Sequence, residues 1–330
     1  MELFFPTYYH KFQCLADACP DSCCKEWTVD VDAESAQRYR QLDGALGDQL
    51  RQVLKDTPDG TILTIKDGRC PMWRNDGLCR IQAELGHDAL CKTCQEFPRL
   101  THDYGNFIEL GLELSCPEAA RLILSSPGGL LIQVQTGGVE PEYDQDIMNI
   151  LRQSRNEALR FLRNAKNIPQ ALATVLLYAH NVQTAIDLGD SLCFAPQDCL
   201  FEMSERCSSG DWHDFFAFFR TLEILTPQWN QRLETAPTKI SWSEPLRNLA
   251  CYMFERYWLQ AISDYDLICR VKLAIAACVL VGALGGNTIE TAQLFSKEIE
   301  NNPDNIEAIL EATYTSSCLA DTNLLALLWL

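Results

Sequence analysis

The sequence has few basic residues, few histidines and no histidine motif typical of zinc hydrolases. Its 330 residues include 27 Lys and Arg against 45 Asp and Glu, and the formal net charge is −18. Nucleic-acid phosphates require a basic face on their partner, so the charge argues against a nucleic-acid-binding protein. An acidic surface favours cationic partners such as an exposed lysine, although it also simply increases solubility.

Long apolar runs and leader signals are also missing. The longest apolar run, residues 273–284, is shorter than the roughly 20 residues that a bilayer span needs, so it predicts a buried helix. Residues 1–6 show no basic region followed by an apolar stretch and a cleavage site. We therefore expect a cytoplasmic protein with no membrane partner, in which clustered cysteines bind metal or do chemistry instead of forming disulfides.

No glycine-rich nucleotide loop is present. No G-x-G-x-x-G follows a predicted strand, and the glycines at 282, 285 and 286 lie at the end of an apolar helix. Glycine at that position is expected to end the helix. A Rossmann-type nucleotide site is therefore disfavoured.

Cysteine is abundant, with sixteen residues in the chain. Nine of them fall in the first 116 residues: Cys14, Cys19, Cys23, Cys24, Cys70, Cys79, Cys91, Cys94 and Cys116. Such short spacings bring several sulfurs to one point, as zinc and iron–sulfur sites require. The sequence therefore predicts a metal centre in which all nine are candidate ligands. Nine thiols permit one four-sulfur site with five left over, or two sites with one left over.

The spacing also bears on the kind of metal. Four-cysteine sites suit zinc and iron–sulfur clusters equally. The chain has a single C-x-x-C, at Cys91 and Cys94, and a Cys116-Pro117 pair of the sort that closes ferredoxin motifs. This combination favours a [4Fe–4S] cluster, with zinc as the alternative. Vicinal Cys23 and Cys24 are expected to point to opposite sides of the backbone.

Hydrophobic periodicity predicts a mainly α protein in which a small mixed α+β, cysteine-rich module packs on an α-helical domain. The predicted domains are residues 1–138, which bind the metal or cluster, and residues 139–330. The predicted strands of the first domain are 27–31, 61–66, a hairpin of 100–103 with 107–114, and 130–135. Its predicted helices are 33–54, 79–85 and 116–124. The predicted helices of the second domain are 144–164, 170–187, 212–225, 243–263, 265–284, 292–301 and 306–312.

Several motifs together resemble the flagellin lysine N-methylase family. They are Phe12-x-Cys14, Cys23-Cys24-Lys25, and the segments at residues 70–71, 77–82, 90–99 and 114–121. The likeness is dense over residues 6–125 and looser in the helical half, where it depends on residues 248–257 and 266–273. The resemblance implies methylation of surface lysines of flagellin, with S-adenosylmethionine as the donor. It also implies a [4Fe–4S] cluster held by the N-terminal cysteines.

Methylation of lysine sets chemical requirements that single out residues. A lysine with a pKa near ~10.4 must first lose a proton, which costs roughly 4–5 kcal/mol at neutral pH. A carboxylate or tyrosine near the acceptor is therefore expected, and the candidate catalytic residues are Glu118, Tyr252, Tyr257 and Asp266. The sulfonium of the donor favours aromatic walls, for which Trp27 and Trp73 are candidates. Arg99 is a candidate to bind its carboxylate or to donate a hydrogen bond to a cluster sulfur, and Arg256 and Arg270 are similar candidates.

The seven remaining cysteines are widely spaced. Cys251, Cys269 and Cys278 lie on apolar helix faces and are predicted to be core residues. Cys193, Cys199 and Cys207 with His213 give a weak indication of a second metal site. A rival to the methylase hypothesis remains open, in which zinc or a cluster only stabilises the fold or senses the redox state.

Overall fold

The computed structural model describes residues 1–25, 28–126, 128–134, 137–189, 191–193, 195–199, 210–236 and 239–329. They form two compact units. The cysteine-rich unit comprises Phe12–Leu100 and Cys116–Glu118, and the helical unit comprises Met1–Lys11, Thr101–Ser115 and Ala119–Leu330. All nine clustered cysteines belong to the cysteine-rich unit. The division into domains of residues 1–138 and 139–330 stays a prediction.

Helices predominate over strands, so the predicted mainly α fold with some α+β content is confirmed. The strands are β1 (Glu2–Pro6), β2 (Val29–Val31), β3 (Leu54–Thr57), β4 (Gly60–Leu63), β5 (Arg99–Asp103), β6 (Phe107–Leu112) and β7 (Leu130–Val134). The helices are α1 (Ala33–Gln41), α2 (Gly44–Val53), α3 (Arg80–Leu85), α4 (Lys92–Glu96), α5 (Pro117–Leu124), α6 (Gln145–Arg163), α7 (Ile168–Leu188), α8 (Trp212–Phe219), α9 (Pro227–Thr235), α10 (Glu244–Tyr257), α11 (Ile268–Leu284), α12 (Thr288–Phe295), α13 (Pro303–Thr315) and α14 (Asp321–Leu327).

The cysteine-rich unit is built on an antiparallel three-stranded sheet in the order β2–β4–β3. One face of this sheet and the first two helices bury a small core that includes Val29, Tyr39, Leu50, Cys70 and Cys91. Because two of the cysteines are part of that core, the position of their sulfurs is fixed by apolar packing.

The single helix predicted at residues 33–54 is wrong, because the chain breaks between α1 and α2. Leu42 is extended, and Gly44 adopts φ +82°, which favours glycine. The chain then passes so close to itself that a Cβ on Gly47 would lie 1.8 Å from the Leu42 carbonyl oxygen. That carbonyl accepts a hydrogen bond from Arg51 Nη1 at 2.6 Å. The predicted helix also extended into Leu54, where β3 begins.

The helical unit contains a four-stranded sheet in the order β5–β6–β1–β7. Strands β5 and β6 lie at the predicted hairpin, and β7 lies within the predicted segment 130–135. The sequence did not predict β1, which pairs in parallel with β6 and antiparallel with β7. Phe4, Phe5 and Pro6 are all buried, so β1 lacks the alternation by which a half-exposed strand is predicted.

The predicted helices of the second half are present, with changed ends. Helix α8 stops at Phe219, six residues before the predicted end at 225, and α9 and α14 were not predicted. Helix α10 continues as the 3₁₀ turn Trp258–Ser263, and α12 continues as the π-helical turn Ser296–Glu300. The apolar run lies in α11, whose side chains are almost all buried, and Gly285 ends that helix as predicted. No helix in the described part of the chain is both long and apolar enough to span a bilayer.

Candidate functional site

The first group of cysteines lies in turns at the start of the cysteine-rich unit. Cys19 follows the 3₁₀ turn Ala16–Ala18, and Cys23 and Cys24 lie in the next turn. Cys70 is joined to this group through the backbone, because its N–H donates to the Cys24 carbonyl at 2.8 Å. This hydrogen bond brings together two segments that lie far apart in the sequence.

The second group stands at the starts of two short helices. Cys79 precedes α3, and Cys91 precedes α4, which also carries Cys94. Backbone N–H groups at such positions point toward the preceding side chain and stabilise a thiolate. The thiol of Cys79 receives hydrogen bonds from the N–H groups of Gln82 and Ile81, although burial is the larger influence and raises its pKa.

Within each group, neighbouring sulfurs interact directly with one another. The single S–H of Cys24 faces the sulfurs of both Cys23 and Cys70, and this hydrogen bonding lowers the pKa of Cys23 and of Cys70. Cys94 donates to Cys91 in the same way and lowers the pKa of Cys91 to about 7. As the donors, Cys24 and Cys94 have a raised pKa. The expectation that Cys23 and Cys24 point to opposite sides is wrong, since their sulfurs touch.

These pairs lie beside a cavity of about 230 Å³. Five cysteines line it: Cys14, Cys19, Cys23, Cys24 and Cys79. The other three sulfurs are close to this lining, because the charge of Cys70 acts on Cys79, and the charges of Cys23 and Cys79 act on Cys94. The structure therefore brings five of the nine candidate ligands to one cavity, with Cys70, Cys91 and Cys94 within electrostatic range of them. Their role as ligands stays a prediction.

The remaining candidates of the cysteine-rich unit have separate surroundings. Cys116 and Glu118 are buried at the start of α5. Arg99 is exposed, and its guanidinium carbon lies 5.3 Å from the centre of the Phe12 ring. The contact shown for Arg99 is therefore with an aromatic ring, and its role beside the cluster stays a prediction.

Two tryptophans were predicted to form aromatic walls. Trp27 lies outside the described residues, whereas Trp73 is described. Two cations already face its ring, with the Arg69 guanidinium 4.3 Å and the Lys25 ammonium 5.2 Å from the ring centre. Its indole N–H is buried and has no hydrogen-bond partner among the described residues. The backbone of Trp73 forms a β-bridge with that of Cys79, which is one of the residues that line the cysteine cavity.

Three predicted site residues meet in the helical unit. Tyr252, Arg256 and Tyr257 lie on α10, and all three contact Glu300 on the π-helical turn. Arg256 Nη1 donates to the Tyr252 hydroxyl at 2.7 Å, and Arg256 Nε lies 3.4 Å from Glu300 Oε1. The Tyr257 hydroxyl donates to Glu300 Oε1 at 3.0 Å, and the Tyr252 hydroxyl lies 3.4 Å from both carboxylate oxygens.

The electrostatics of this network assign roles to its members. Burial, and then the Glu300 carboxylate, hold the pKa of Tyr257 well above its usual range, and burial does the same for Tyr252. Both hydroxyls donate to the Glu300 carboxylate, and the catalytic role of the two tyrosines stays a prediction. Burial also raises the pKa of Glu113, which accepts a hydrogen bond from the Ser115 hydroxyl at 2.8 Å.

Asp266 belongs to another part of the helical unit. Its carboxylate accepts hydrogen bonds from the Cys269 N–H at 3.3 Å and from the Tyr314 hydroxyl at 2.7 Å. The first of these caps the start of α11. Arg270 pairs with Asp264 at 2.9 Å. The contacts of Asp266 are therefore those of a helix cap, and the structure does not join it to Tyr252 or Tyr257.

The other cysteines are engaged locally. Cys251, Cys269 and Cys278 are buried, as predicted. The Cys199 sulfur accepts a hydrogen bond from Asn181 at 3.0 Å, and Cys207 lies outside the described residues. His213 is exposed and lies beside the carboxylates of Asp211 and Asp214.

Sequence reasoning missed Glu113 and Glu300. Glu300 lies in a charged segment that a regular helical period would leave partly exposed, but the π-helical turn buries every residue from Ser296 to Glu300. A π turn adds one residue to the helical turn and so changes which side chains face inward. Hydrophobic periodicity contains no signal for such an insertion.

Comparison with curated proteins finds relatives from Salmonella. The chain is 33% identical over 140 residues to the flagellar biosynthetic protein FliU of Salmonella muenchen, covering 38% of the chain and 79% of that protein. It is 32% identical over 144 residues to a lysine-N-methylase of Salmonella typhimurium, and 33% over 138 residues to one of Salmonella choleraesuis. Each match covers 40% of this chain and 34% of the methylase, so the chain spans about a third of their length. No family model and no solved structure matches the chain.

Proposed function

The chain belongs to the family of the flagellin lysine N-methylases and FliU, and from this membership we propose that it is a protein-lysine N-methyltransferase that uses S-adenosylmethionine. The similarity to FliU over most of that protein is the observation that carries the proposal. The proposed substrate is a protein, and flagellin is the first to test. We propose that the reaction takes place in the cytoplasm.

The reaction needs a neutral lysine amine beside the methyl group of the donor. The nitrogen lone pair forms a bond to the methyl carbon while the carbon–sulfur bond breaks, and its electron pair stays on sulfur, which becomes a neutral thioether. The methylated ammonium then releases a proton to a base or to water. The buried network of Tyr252, Tyr257 and Glu300 supports this chemistry, because its two hydroxyls hold a carboxylate in one position. Glu118 and Asp266 remain candidates on sequence grounds.

We propose that the converging cysteines hold a [4Fe–4S] cluster, with zinc as the alternative. An all-sulfur donor set suits both. Four thiolates hold a zinc ion at about 2.3 Å and leave little space, whereas the cavity here measures about 230 Å³, which supports the larger group. When bound, such a cluster supplies either an iron that binds the donor or a fixed framework for the fold.

Binding of the donor calls for a cation to meet its carboxylate and an aromatic wall to meet its sulfonium. Arg256 is only partly exposed and already contacts Tyr252 and Glu300, whereas Arg99 is exposed. Arg99 is therefore the better candidate for the carboxylate of the donor. Trp73, whose backbone pairs with Cys79, is the candidate aromatic wall, and its indole N–H has no hydrogen-bond partner among the described residues.

Anaerobic purification followed by a transfer assay tests the proposal. We expect a brown protein with broad visible absorption, and mass steps on flagellin lysines that correspond to methyl replacing hydrogen when S-adenosylmethionine is added. A colourless protein with stoichiometric zinc overturns the cluster. A metal-loaded protein that methylates nothing in a lysate of the host overturns the enzyme and supports the rival, a structural or redox-sensing metal protein.

A further inference from the structure

The polar network around Arg256 contains more carboxylate than cation. Glu300 is fully buried and contacts the guanidinium, and the charge of Glu113 acts on the same guanidinium. Glu113 itself bonds to the neutral groups Ser115 and Asn301. Within the described residues, the groups that act on Glu113 include one cation, Arg256. Two carboxylates therefore share one positive charge.

A histidine close to this network does not supply the missing charge. Arg256 acts on the imidazole of His102, and burial followed by Arg256 lowers its pKa. The imidazole is therefore neutral at pH 7, because its ordinary pKa is already about 6.5. Among the charged groups shown to act on Glu113 within the described residues, Arg256 is therefore the cation.

Two buried polar atoms next to the network also lack partners among the described residues. They are Asn248 Oδ1 and Ser296 Oγ, in residues that are 2% and 0% exposed. Asn248 lies four residues before Tyr252 on α10, and Ser296 lies four residues before Glu300 on the π-helical turn. Each of these residues therefore lies about one helical turn from a member of the network, on roughly the same side of its helix.

The orientation of the Asn248 amide is fixed, because its Nδ2 donates to the Leu124 carbonyl at 2.9 Å. Its free oxygen can only accept a hydrogen bond. A buried acceptor without a partner costs about 1–3 kcal/mol, so a ligand that donates to it is favoured. The ligand that fits these groups is a hydrogen-bond donor with a positive charge, and the two carboxylates disfavour an anion.

We propose that this network binds the primary ammonium group of the acceptor lysine, an inference that rests on the proposed methyltransferase function. A primary ammonium carries one positive charge and three N–H donors, which match the surplus carboxylate and the free acceptors. Its residues are Glu113, Glu300, Tyr252, Tyr257, Arg256, Asn248 and Ser296. Glu113 and Arg256 are partly exposed, so the network has a side that solvent reaches.

The same arrangement indicates which group accepts the proton that the ammonium must lose before methyl transfer. It passes from the ammonium nitrogen to a carboxylate oxygen of Glu113 and leaves a neutral amine with its lone pair free. Glu300 is less suited to this step, because the hydroxyls of Tyr252 and Tyr257 and the guanidinium of Arg256 already occupy its oxygens. Glu300 is a positioning residue that keeps the two hydroxyls in place.

Binding of n-butylammonium, which copies the end of a lysine side chain, tests the site without requiring turnover. Calorimetry on the full metal-loaded chain is expected to detect n-butylammonium and not the neutral analogue n-butanol. Glu113→Gln is expected to weaken binding at least tenfold, and Tyr257→Phe several-fold. Glu311→Gln, a substitution at an exposed glutamate of α13, is expected to bind as the unmodified chain does. Circular dichroism establishes that each variant is folded.

The outcomes separate this site from the proposed function. Equal affinity of Glu113→Gln and the unmodified chain for n-butylammonium, or equal binding of n-butanol, overturns the site. Methyl transfer by a Glu113→Gln variant at the unmodified rate also overturns the site and leaves the function in place. Binding that depends on Glu113 in a chain that transfers no methyl group to any lysine supports an ammonium site and rejects the methyltransferase.

Discussion

The carboxylate of Asp32 accepts a hydrogen bond from the backbone N–H of Lys92, sixty residues further along the chain, at 2.9 Å. Its other oxygen accepts from the Ser35 N–H at 2.9 Å and so caps α1. One side chain therefore joins the starts of α1 and α4. Because α4 carries Cys94 and follows Cys91, Asp32 fixes the position of one sulfur pair.

Removal of this carboxylate is expected to destabilise the cysteine-rich unit. Asp32→Ala leaves two helix starts without an acceptor, and loss of one such cap typically costs about 1 kcal/mol. We expect the free energy of unfolding in urea to fall by about 1–2 kcal/mol and the bound metal to decrease. Asp59→Ala, at an exposed turn, is the matched control and should change stability by less than about 0.5 kcal/mol. Equal stability of the two variants contradicts the joining role.

The same carboxylate predicts a pH dependence. The Lys92 N–H, and then the Ser35 N–H, lower the pKa of Asp32 to about 2, whereas an unfolded aspartate titrates near ~3.9. A group with a depressed pKa in the folded state stabilises fully above its unfolded pKa and loses that effect as pH falls through the folded value. The stability difference between the unmodified chain and Asp32→Ala should be constant above about pH 5 and shrink toward pH 2. A stability difference between the two proteins that grows as the pH falls contradicts this prediction.

Local signals in the sequence predicted a large part of this structure. Gly285 was predicted as a helix end and Cys278 as a core residue, and both predictions are confirmed. Each depends on a few neighbouring residues, whose preferences act within one turn of a helix or strand. Clustering in the sequence also predicted that the N-terminal cysteines come together.

Features that depend on contacts between distant segments were not predictable. The strand β1 forms because β6 and β7 pair with it, and its own residues lack an alternating pattern. The contact between Cys24 and Cys70 follows from a backbone hydrogen bond between two loops. Glu300 enters its network through a π-helical turn. In each case the geometry depends on a contact between two distant segments, whereas hydrophobic periodicity describes one segment at a time.

The break between α1 and α2 gives a sharp prediction for glycine. Gly47→Ala would place a Cβ 1.8 Å from a backbone oxygen of Leu42, so the backbone must shift. We expect a loss of about 3 kcal/mol or more, measured by urea unfolding. In Gly44→Ala the added Cβ meets nothing within 4 Å, so the free energy of unfolding should fall only because of the φ of +82°, by about 1–2 kcal/mol. A smaller loss at Gly47 than at Gly44 contradicts the close approach.

The buried ion pair between Arg155 and Glu109 should show strong coupling. Nη1 and Nη2 of Arg155 both donate to the Glu109 carboxylate. Nη1 also donates to the backbone carbonyl of Glu255 at 3.1 Å. Arg155→Met leaves Glu109 buried without its partner and should cost about 3–5 kcal/mol. The double variant Glu109→Leu with Arg155→Met should be more stable than Arg155→Met alone, as measured by urea unfolding. A double variant that loses the sum of both single effects contradicts the coupling.

Substitution of Cys24 should remove metal, because its sulfur contacts both Cys23 and Cys70. We expect Cys24→Ser to lose at least about half of the bound metal, measured as iron, zinc and acid-labile sulfide in the purified protein. Cys278→Ser is the matched control, since Cys278 is fully buried in α11. Cys278→Ser should destabilise the fold by about 1–3 kcal/mol, because a hydroxyl replaces a thiol in an apolar core. It should keep its metal. Full metal in Cys24→Ser, or equal loss in both variants, contradicts a centre held by these sulfurs.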